Sequence, residues 1–219
     1  MSHRGLGAPL IALSDYIIFG DSGIMTLNIG GIANITYLGK EGTIAFDTGP
    51  GNMLIDQAMA HFFGLSMDKD GRVARTGNID DKLLIHLMKD AYLEHPLPKN
   101  SGREYYGSTY LSNLIKKFPW LKKEDFIRTL TRFTAASIYD QAKRFLPVLP
   151  SEIVVGGGGS RNTVLMSDLK TLFEGRVETF KDKGIDDEFR EALGFAILAN
   201  QTIHHAAGRI IDPEIMSGP

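Results

Sequence analysis

A glycine-rich segment directly behind one carboxylate is the part of the chain whose residue types best suit chemistry. Thr43–Asn52 reads TIAFDTGPGN, so a β-type run ends at Asp47 ahead of two glycines, a proline and an asparagine. Such clusters form surface turns, in which Asp47 would make an Asx turn or cap a helix. They also form loops whose amides and single acid approach a ligand oxygen at a helix start. The second interpretation makes Asp47 a water-mediated Mg²⁺ or phosphate-region contact, and gives anion or sugar contacts to the amides of Thr48, Gly49, Gly51 and Asn52.

A second glycine cluster lies between two β-type runs. Gly30 and Gly31 separate Ile24–Ile29 from Ala33–Leu38, which is the pattern of a β-hairpin. Because glycine has no side chain, amides in such a turn come within hydrogen-bond distance of phosphoryl oxygens. A plain hairpin turn is the alternative.

The third cluster consists of four consecutive glycines between a strand pattern and an amphipathic helix. A dinucleotide fingerprint started at either of the first two glycines meets Arg161 or Asn162 where glycine is needed, and no P-loop motif occurs. A tight turn needs only one or two glycines, so the run favours a loop that packs its backbone against an adenosine ring and ribose. Ser160 or Asn162 would cap the next helix. The four residues are Gly156, Gly157, Gly158 and Gly159.

Single charged residues add fewer candidates. Arg103 lies between glycine and aromatic residues in SGREYYG, where it either contacts a sugar or phosphate or stacks at a structural corner. Glu191, by its position alone, is a solvent-facing acid near the start of an apolar helix. The histidines lack metal-ligand spacing and an acidic partner, and no Ser/His/Asp arrangement stands out.

Composition excludes several function classes. The 219 residues are 43% apolar, contain no cysteine and carry a formal charge of −2 with scattered Lys and Arg, so nucleic acid is not expected as a partner. No apolar run reaches the roughly 20 residues that a spanning helix needs. The first residues, MSHRGLGAPL, lack the apolar centre of a secretory signal. We therefore expect a cytoplasmic protein without membrane contact.

Periodicity predicts a mixed α/β domain. A helix over 7–19 precedes three strands and a helix that starts near Asn52. The stretch 65–149 is polar and helical, and strand, helix, strand and helix come after it. Without this insertion the order is β-β-β-α-β-α-β-α, the topology of a ribonuclease-H-like, or actin-like ATPase, half-unit. Within the insertion we expect helices at Asp80–Leu93, Gly107–Lys117 and Lys123–Phe145.

Seven segments together resemble one family, the anhydro-N-acetylmuramic acid kinases, over essentially the whole chain. In chain order they read LNIGGIANITYL, AFDTGPGNMLIDQ, ARTGN, SGREYY, TLTRFTAASI, VVGGGGSRNTVLMSDL and EALGFAILA. The resemblance implies a cytoplasmic enzyme of peptidoglycan recycling. Such an enzyme uses ATP and Mg²⁺ to phosphorylate the 6-hydroxyl of 1,6-anhydro-N-acetylmuramic acid while water opens the anhydro ring.

The resemblance also implies roles and boundaries. Gly30, Gly31 and the segment 47–52 would face the γ- and β-phosphates, Gly156 to Gly159 would face adenosine, and Glu191 would contact sugar or water. Residues 1–22 would be a helix from the interdomain region, and 23–219 the C-terminal actin-like domain. Family members look like two half-units hinged around a cleft, and they commonly dimerise.

One departure from the family concerns the mechanism. Family members carry an earlier half-unit with a G-T-S-x-D-G phosphate loop and a D-F-R-x-x-D segment that holds the catalytic aspartate. The present sequence aligns with the family only after that segment, and Asp15 and Asp21 do not match the position of the base. We therefore expect the 219 residues alone to bind nucleotide weakly and not to turn over the sugar.

Other interpretations stay open. The chain could be a non-catalytic truncated remnant that keeps the fold, or a nucleotide-binding module or sensor. It could also pair with a separately encoded N-terminal half, or form a homodimer. The intact ARTGN and SGREYY segments argue against a sensor that binds nucleotide alone.

Overall fold

A five-stranded mixed sheet forms the centre of the molecule. The computed structural model describes residues 12–99, 104–174 and 176–185, together with isolated helical positions between 192 and 200. The strands are β1 (Ile24–Ile29), β2 (Ile32–Gly39), β3 (Gly42–Pro50), β4 (Glu152–Gly156) and β5 (Val177–Thr179). The helices are α1 (Ala12–Phe19), α2 (Met53–Phe63), α3 (Asp81–Leu87), α4 (Ala91–Glu94), α5 (Ser108–Lys117), α6 (Lys123–Phe145) and α7 (Thr163–Leu172).

The strand order is β3-β2-β1-β4-β5. The first three strands form an antiparallel meander, whereas β4 lies parallel to β1 and β5 lies parallel to β4. This is the topology predicted for a ribonuclease-H-like half-unit, and the prediction is confirmed through β5. The final helix of that prediction falls largely outside the described ranges, and the isolated positions described between 192 and 200 are helical.

The sheet is buried on the face that carries α6 and α7. Leu27 of β1 and Ile35 of β2 are fully buried in one cluster with Ile138 of α6 and Leu165 of α7. Each such side chain contributes about 1.5–3 kcal/mol through burial. On β1, Thr26 donates a 2.6 Å hydrogen bond to the buried carboxylate of Asp15, which ties α1 to the sheet.

The helical insertion is held to the sheet by one long helix. The second half of α6, with Ala135 and Ala142, lies in the sheet cluster. Its first half, with Phe126 and Phe133, lies in a second cluster formed with α2 and the insertion helices. A bidentate pair then joins α6 to α7, because Arg128 donates to both Asp168 oxygens at 2.6 and 2.8 Å. Helix α6 therefore links the core of the insertion to the core of the sheet.

Two predicted boundaries are wrong. The helix expected over 80–93 is two helices, because the Asp90 side chain accepts from the Tyr92 N–H at 2.9 Å and caps a new helix, α4. Strand β3 does not end at Asp47 but continues to Pro50. Proline is tolerated there because β3 is an edge strand.

The four-glycine loop after β4 packs directly on the end of β1. At Gly157, where φ is +79°, an added Cβ would lie 2.8 Å from both Asn28 Oδ1 and the Ile29 carbonyl oxygen. An added Cβ at Gly159 would overlap the Ile29 side chain. At Gly158 the nearest atom to an added Cβ is Asn52 Nδ2, at 3.8 Å. Two of these three glycines therefore serve packing, and the third borders open space.

The contrast between Gly158 and Gly159 generates a stability prediction. We expect Gly159→Ala to lower the free energy of unfolding by about 1–3 kcal/mol, because the added methyl group pushes the glycine loop away from Ile29 of β1. Gly158→Ala is the matched control, and we expect it to change stability by less than about 0.5 kcal/mol. Urea denaturation of both variants measures the difference. Equal losses in the two variants would contradict this packing.

Candidate functional site

Three turns meet around one cavity of about 560 Å³. Gly30 and Gly31 of the β1–β2 turn, Asn52 ahead of α2, and Gly158 of the four-glycine loop all line it. In open sheets with parallel strands, ligands bind at the carboxyl ends of those strands, and β1 and β4 both end here. The cavity is therefore a candidate binding site, and glycine backbone forms part of its wall.

Backbone hydrogen bonds hold the β1–β2 turn against the start of α2. The N–H groups of Gly51 and Met53 donate to the Gly31 carbonyl at 2.9 and 3.1 Å, and the Asn52 N–H donates to the Gly30 carbonyl at 2.8 Å. The Asn52 side-chain amide also donates to the Ile29 carbonyl at 3.3 Å. The amides of Gly51 and Asn52, predicted as anion or sugar contacts, are thus occupied by protein carbonyls.

The turn itself keeps two donors for a ligand. Within the described ranges, the N–H groups of Gly30 and Gly31 make no hydrogen bond to the protein. Both glycines are partly exposed at the cavity, so their N–H groups are open to water or to an oxygen of a ligand. This arrangement supports the phosphate-contact prediction for the hairpin turn.

The helix after the four glycines is capped by one of the two predicted residues. Asn162 Oδ1 accepts from the N–H groups of Val164 and Leu165, both at 3.1 Å. The Ser160 hydroxyl instead donates to the Gly157 carbonyl at 2.8 Å and closes the loop on itself. Gly156 is the last residue of β4. Of the four glycines, Gly158 lines the cavity.

Asp47 lies inside β3 rather than in a loop. Its N–H donates to the Lys99 carbonyl at 3.3 Å, and its own carbonyl accepts from the Tyr92 hydroxyl at 3.0 Å. It does not line the cavity. Thr48 is fully buried with its hydroxyl on the Ala33 carbonyl, and Gly49 is buried in β3 beside it.

This correction has a local cause. The β2–β3 pairing shifts register between Ala33 and Asn34, so β3 bulges and then pairs onward to Pro50. The glycine and proline that suggested a loop instead accompany a bulged edge strand. Asp47, Thr48 and Gly49 therefore build the strand behind the turn.

A buried lysine sits beside this part of β3. Lys99 Nζ donates to the Tyr92 carbonyl at 3.1 Å and to Gln141 Oε1. Burial first, and then the nearby Arg144 charge, lower the pKa of Lys99 to about 8. Lys99 thus joins the chain after α4 to α6 and to the edge strand.

Carboxylates line the other end of the cavity, and the sequence analysis missed them. Asp56 of α2 and the segment 67–70 contribute to this end. Both Asp68 oxygens are occupied, since they accept from the N–H groups of Val73 and Ala74 at 2.8 and 2.9 Å. Burial first, and then the Asp68 charge, raise the pKa of Asp56 to about 6. The sequence offered one signal for Asp56: it lies four residues after Asn52, and residues i and i+4 share a helix face.

The segment 67–76 is fastened to the start of α7. The Thr163 hydroxyl donates to the Asp70 carbonyl at 2.8 Å, and Arg75 donates to the Thr163 hydroxyl at 2.5 Å. The predicted sugar-side motif ARTGN thus begins in a segment bound to the helix behind the glycine loop. This contact holds the cavity-lining segment 67–70 against α7.

The SGREYY motif is anchored through its tyrosines. The Tyr105 hydroxyl of the motif donates to one Asp90 oxygen at 2.8 Å, and the Tyr110 hydroxyl, beyond the motif, donates to the other at 2.6 Å. Tyr106 is fully buried. Two candidate substrate contacts, Arg103 and Glu191, lie outside the described residues.

Three further observations concern metal sites, membrane-spanning helices and a second cavity. Among residues 12–99, 104–174 and 176–185, no three His, Cys, Asp or Glu side chains are grouped so as to hold a metal ion. Within the same part of the chain, no helix is both long and apolar enough to cross a membrane. A larger cavity of about 910 Å³ adjoins the β2–β3 turn and the end of α6, and it contains none of the predicted residues.

Solved structures share this fold at low sequence identity. Xylulose kinase from Lactobacillus acidophilus matches with a TM-score of 0.55 and 15% identity, over 91% of this chain and 42% of that chain. The activator of the 2-hydroxyisocaproyl-CoA dehydratase from Clostridium difficile, solved with bound ADPNP, matches with a TM-score of 0.52 and 14% identity. It covers 92% of this chain and 70% of that chain. These likenesses confirm the actin-like fold alone.

Curated relatives carry one common description. Anhydro-N-acetylmuramic acid kinase from Clostridioides difficile (strain 630) is 39% identical over 216 residues, which are 94% of this chain and 56% of the relative. The protein of that name from Bacillus cereus (strain AH820) is 40% identical over 217 residues, again 56% of its length. The chain thus spans little more than half the length of these relatives. The family model described as anhydro-N-acetylmuramic acid kinase matches residues 1–213. The chain therefore belongs to the anhydro-N-acetylmuramic acid kinase family.

Proposed function

We propose that this chain is the nucleotide-binding part of a kinase that phosphorylates the 6-hydroxyl of 1,6-anhydro-N-acetylmuramic acid. The observation that carries the proposal is the pair of unpaired N–H groups on Gly30 and Gly31 at the cavity. Family membership supports the use of ATP and of a small-molecule substrate. Cleavage of the anhydro ring by water, and a place in peptidoglycan recycling, belong to the same proposal.

The residues at the backbone end of the cavity suit a phosphate group. Phosphoryl transfer depends mainly on positioning and on neutralising charge, which amide N–H groups provide without moving. Gly30 and Gly31 offer these donors, and Asn52 holds their turn in place through its amide on Ile29. ATP bound there would supply the phosphoryl group. Gly158 leaves room for it, since an added Cβ would approach no atom closer than 3.8 Å.

The described residues do not fit a protein-held Mg²⁺. Mg²⁺ requires near-octahedral oxygen ligands, and it is commonly bound through one or two carboxylates and the substrate phosphates. Asp47, the residue predicted to reach it through water, does not line the cavity, and Asp68 is occupied by backbone amides. Asp70 pairs with Arg72, so among the described residues that line the cavity Asp56 alone offers a carboxylate without a hydrogen bond or ion pair, and no second protein ligand stands beside it. We therefore assign no step to a metal held by these residues.

The remaining expectations are proposals of the same kind. A cytoplasmic location, a homodimer and a separately encoded N-terminal half each extend the family assignment. Arg103 and Glu191 are proposed sugar contacts on the family motifs alone.

Gly158→Ala tests the nucleotide site. We expect the 219-residue chain to bind ATP weakly, with a dissociation constant on the order of 1 mM. Gly158→Ala should weaken this binding about tenfold, because the added methyl group occupies the cavity. Ligand-observed NMR titration measures both constants. Ser167→Ala, an exposed change on α7, is the control and should bind as the unmodified chain does. Failure of the unmodified chain to bind ATP would overturn the proposed function.

A second test concerns turnover. The 219 residues contain no G-T-S-x-D-G motif, and a missing general base alone typically costs about 10²–10⁴-fold in rate. We expect no release of ADP that depends on the anhydro-sugar in a coupled assay, whereas a full-length family kinase assayed in parallel should turn over. Rapid sugar-dependent release by this chain would show that the site needs no second half-unit.

A further inference from the structure

The carboxylate of Asp56 is an acceptor that the protein leaves unused. Asp56 lies in the first turn of α2 and lines the cavity, where it is half-buried. Within the described ranges, its carboxylate accepts no hydrogen bond from the protein. A partly buried charge without a donor is costly unless a ligand supplies one.

The surroundings of Asp56 make a hydroxyl the fitting donor. The Asp68 charge contributes to the raised pKa of Asp56, and Lys69 and Arg161 line the same cavity as oppositely charged groups. Of the carboxylates here, Asp68 already accepts two backbone N–H groups, and Asp70 pairs with Arg72 at 3.7 Å. One remaining carboxylate is a poor cage for a divalent cation, which requires several oxygens. A single carboxylate can, however, accept a hydrogen bond from a neutral hydroxyl group.

Position along α2 relates this acceptor to the phosphate end. Asn52, which directly precedes α2 beside Gly30 and Gly31, and Asp56 are four residues apart, so they lie on one helix face at a spacing of about 6 Å. A nucleotide with its phosphates at the two glycine amides would extend its ribose along this face. The backbone of Gly158 borders the path.

We propose that Asp56 accepts a hydrogen bond from a ribose hydroxyl, so that this site selects ribonucleotides over deoxyribonucleotides. The inference rests on the proposed function, since it requires a nucleotide in this cavity. It adds a specificity residue outside the glycine motifs.

Nucleotide analogues test the assignment directly. ATP, 2′-deoxy-ATP and 3′-deoxy-ATP are titrated against the unmodified chain, Asp56→Ala, Asp56→Asn and the control Asp81→Ala, by ligand-observed NMR. Asp81 matches Asp56 as an aspartate in the first turn of a helix, but it is exposed and outside the cavity. Thermal melts of each variant confirm that it is folded.

We expect at least one deoxy analogue to bind the unmodified chain about tenfold more weakly than ATP. Asp56→Ala should lose this discrimination, because only its affinity for ATP falls. Asp56→Asn should keep part of the discrimination through its side-chain carbonyl oxygen. Asp81→Ala should discriminate as the unmodified chain does. Equal affinity of all three nucleotides for the unmodified chain would refute the ribose contact and leave the proposed function standing. An equal loss for all three in Asp56→Ala would do the same. Absence of any nucleotide binding would refute both.

The pH dependence gives an independent readout. The other titratable or charged side chains lining the cavity are Asp68, Lys69, Asp70 and Arg161. Because the pKa of Asp56 is about 6, discrimination should be full at pH 7.5 and should shrink at pH 5, where the protonated carboxyl is a poorer acceptor. Asp56→Asn should make the ratio of affinities independent of pH. A ratio that changes with pH equally in Asp56→Asn would assign the effect to another group and overturn the inference.

Discussion

Close backbone contact at the end of β1 is the constraint on which this site depends. The carbonyls of Gly30 and Gly31 accept the first amides of α2, while the four-glycine loop lies against Asn28 and Ile29 with no room for a Cβ at Gly157 or Gly159. Those contacts bring the β1–β2 turn, the start of α2 and the loop after β4 around one cavity. They also leave the N–H groups of the turn available to a ligand.

The helical insertion completes the site that the sheet begins. The sheet supplies backbone donors, which carry partial positive charge, whereas α2 and the segment 67–70 supply carboxylates at the other end of the cavity. The bonds from Thr163 to Asp70 and from Arg75 to Thr163 hold that segment on α7. The cavity therefore combines the unpaired backbone N–H groups of the turn with the carboxylate of Asp56, and Lys69 and Arg161 also line it. The N–H groups are the basis of the first proposal, and the Asp56 carboxylate is the basis of the second.

Local patterns were sufficient for the elements and their order. Alternating apolar residues predicted β1, and a sustained helical period predicted α6 with the observed bounds, Lys123–Phe145. Boundaries failed where a side chain or a pairing decided them. The Asp90 cap divides the helix expected over 80–93, and the bulge opposite Ala33 carries β3 to Pro50. Both depend on partners that a local pattern does not contain.

The sequence by itself determined the fold class, the family and the three glycine clusters, because backbone freedom and hydrophobic period are properties of local residue types. Only the tertiary structure decided which residues reach the cavity. It placed Asp47 inside an edge strand and Asp56 at the cavity, although both are acids near the same glycines. The reason is that a strand ends where its pairing ends, and a helix face lines a cavity only when other elements enclose it. Those elements are the segment 67–70, which follows α2, and the segment 158–162, which is distant in the chain.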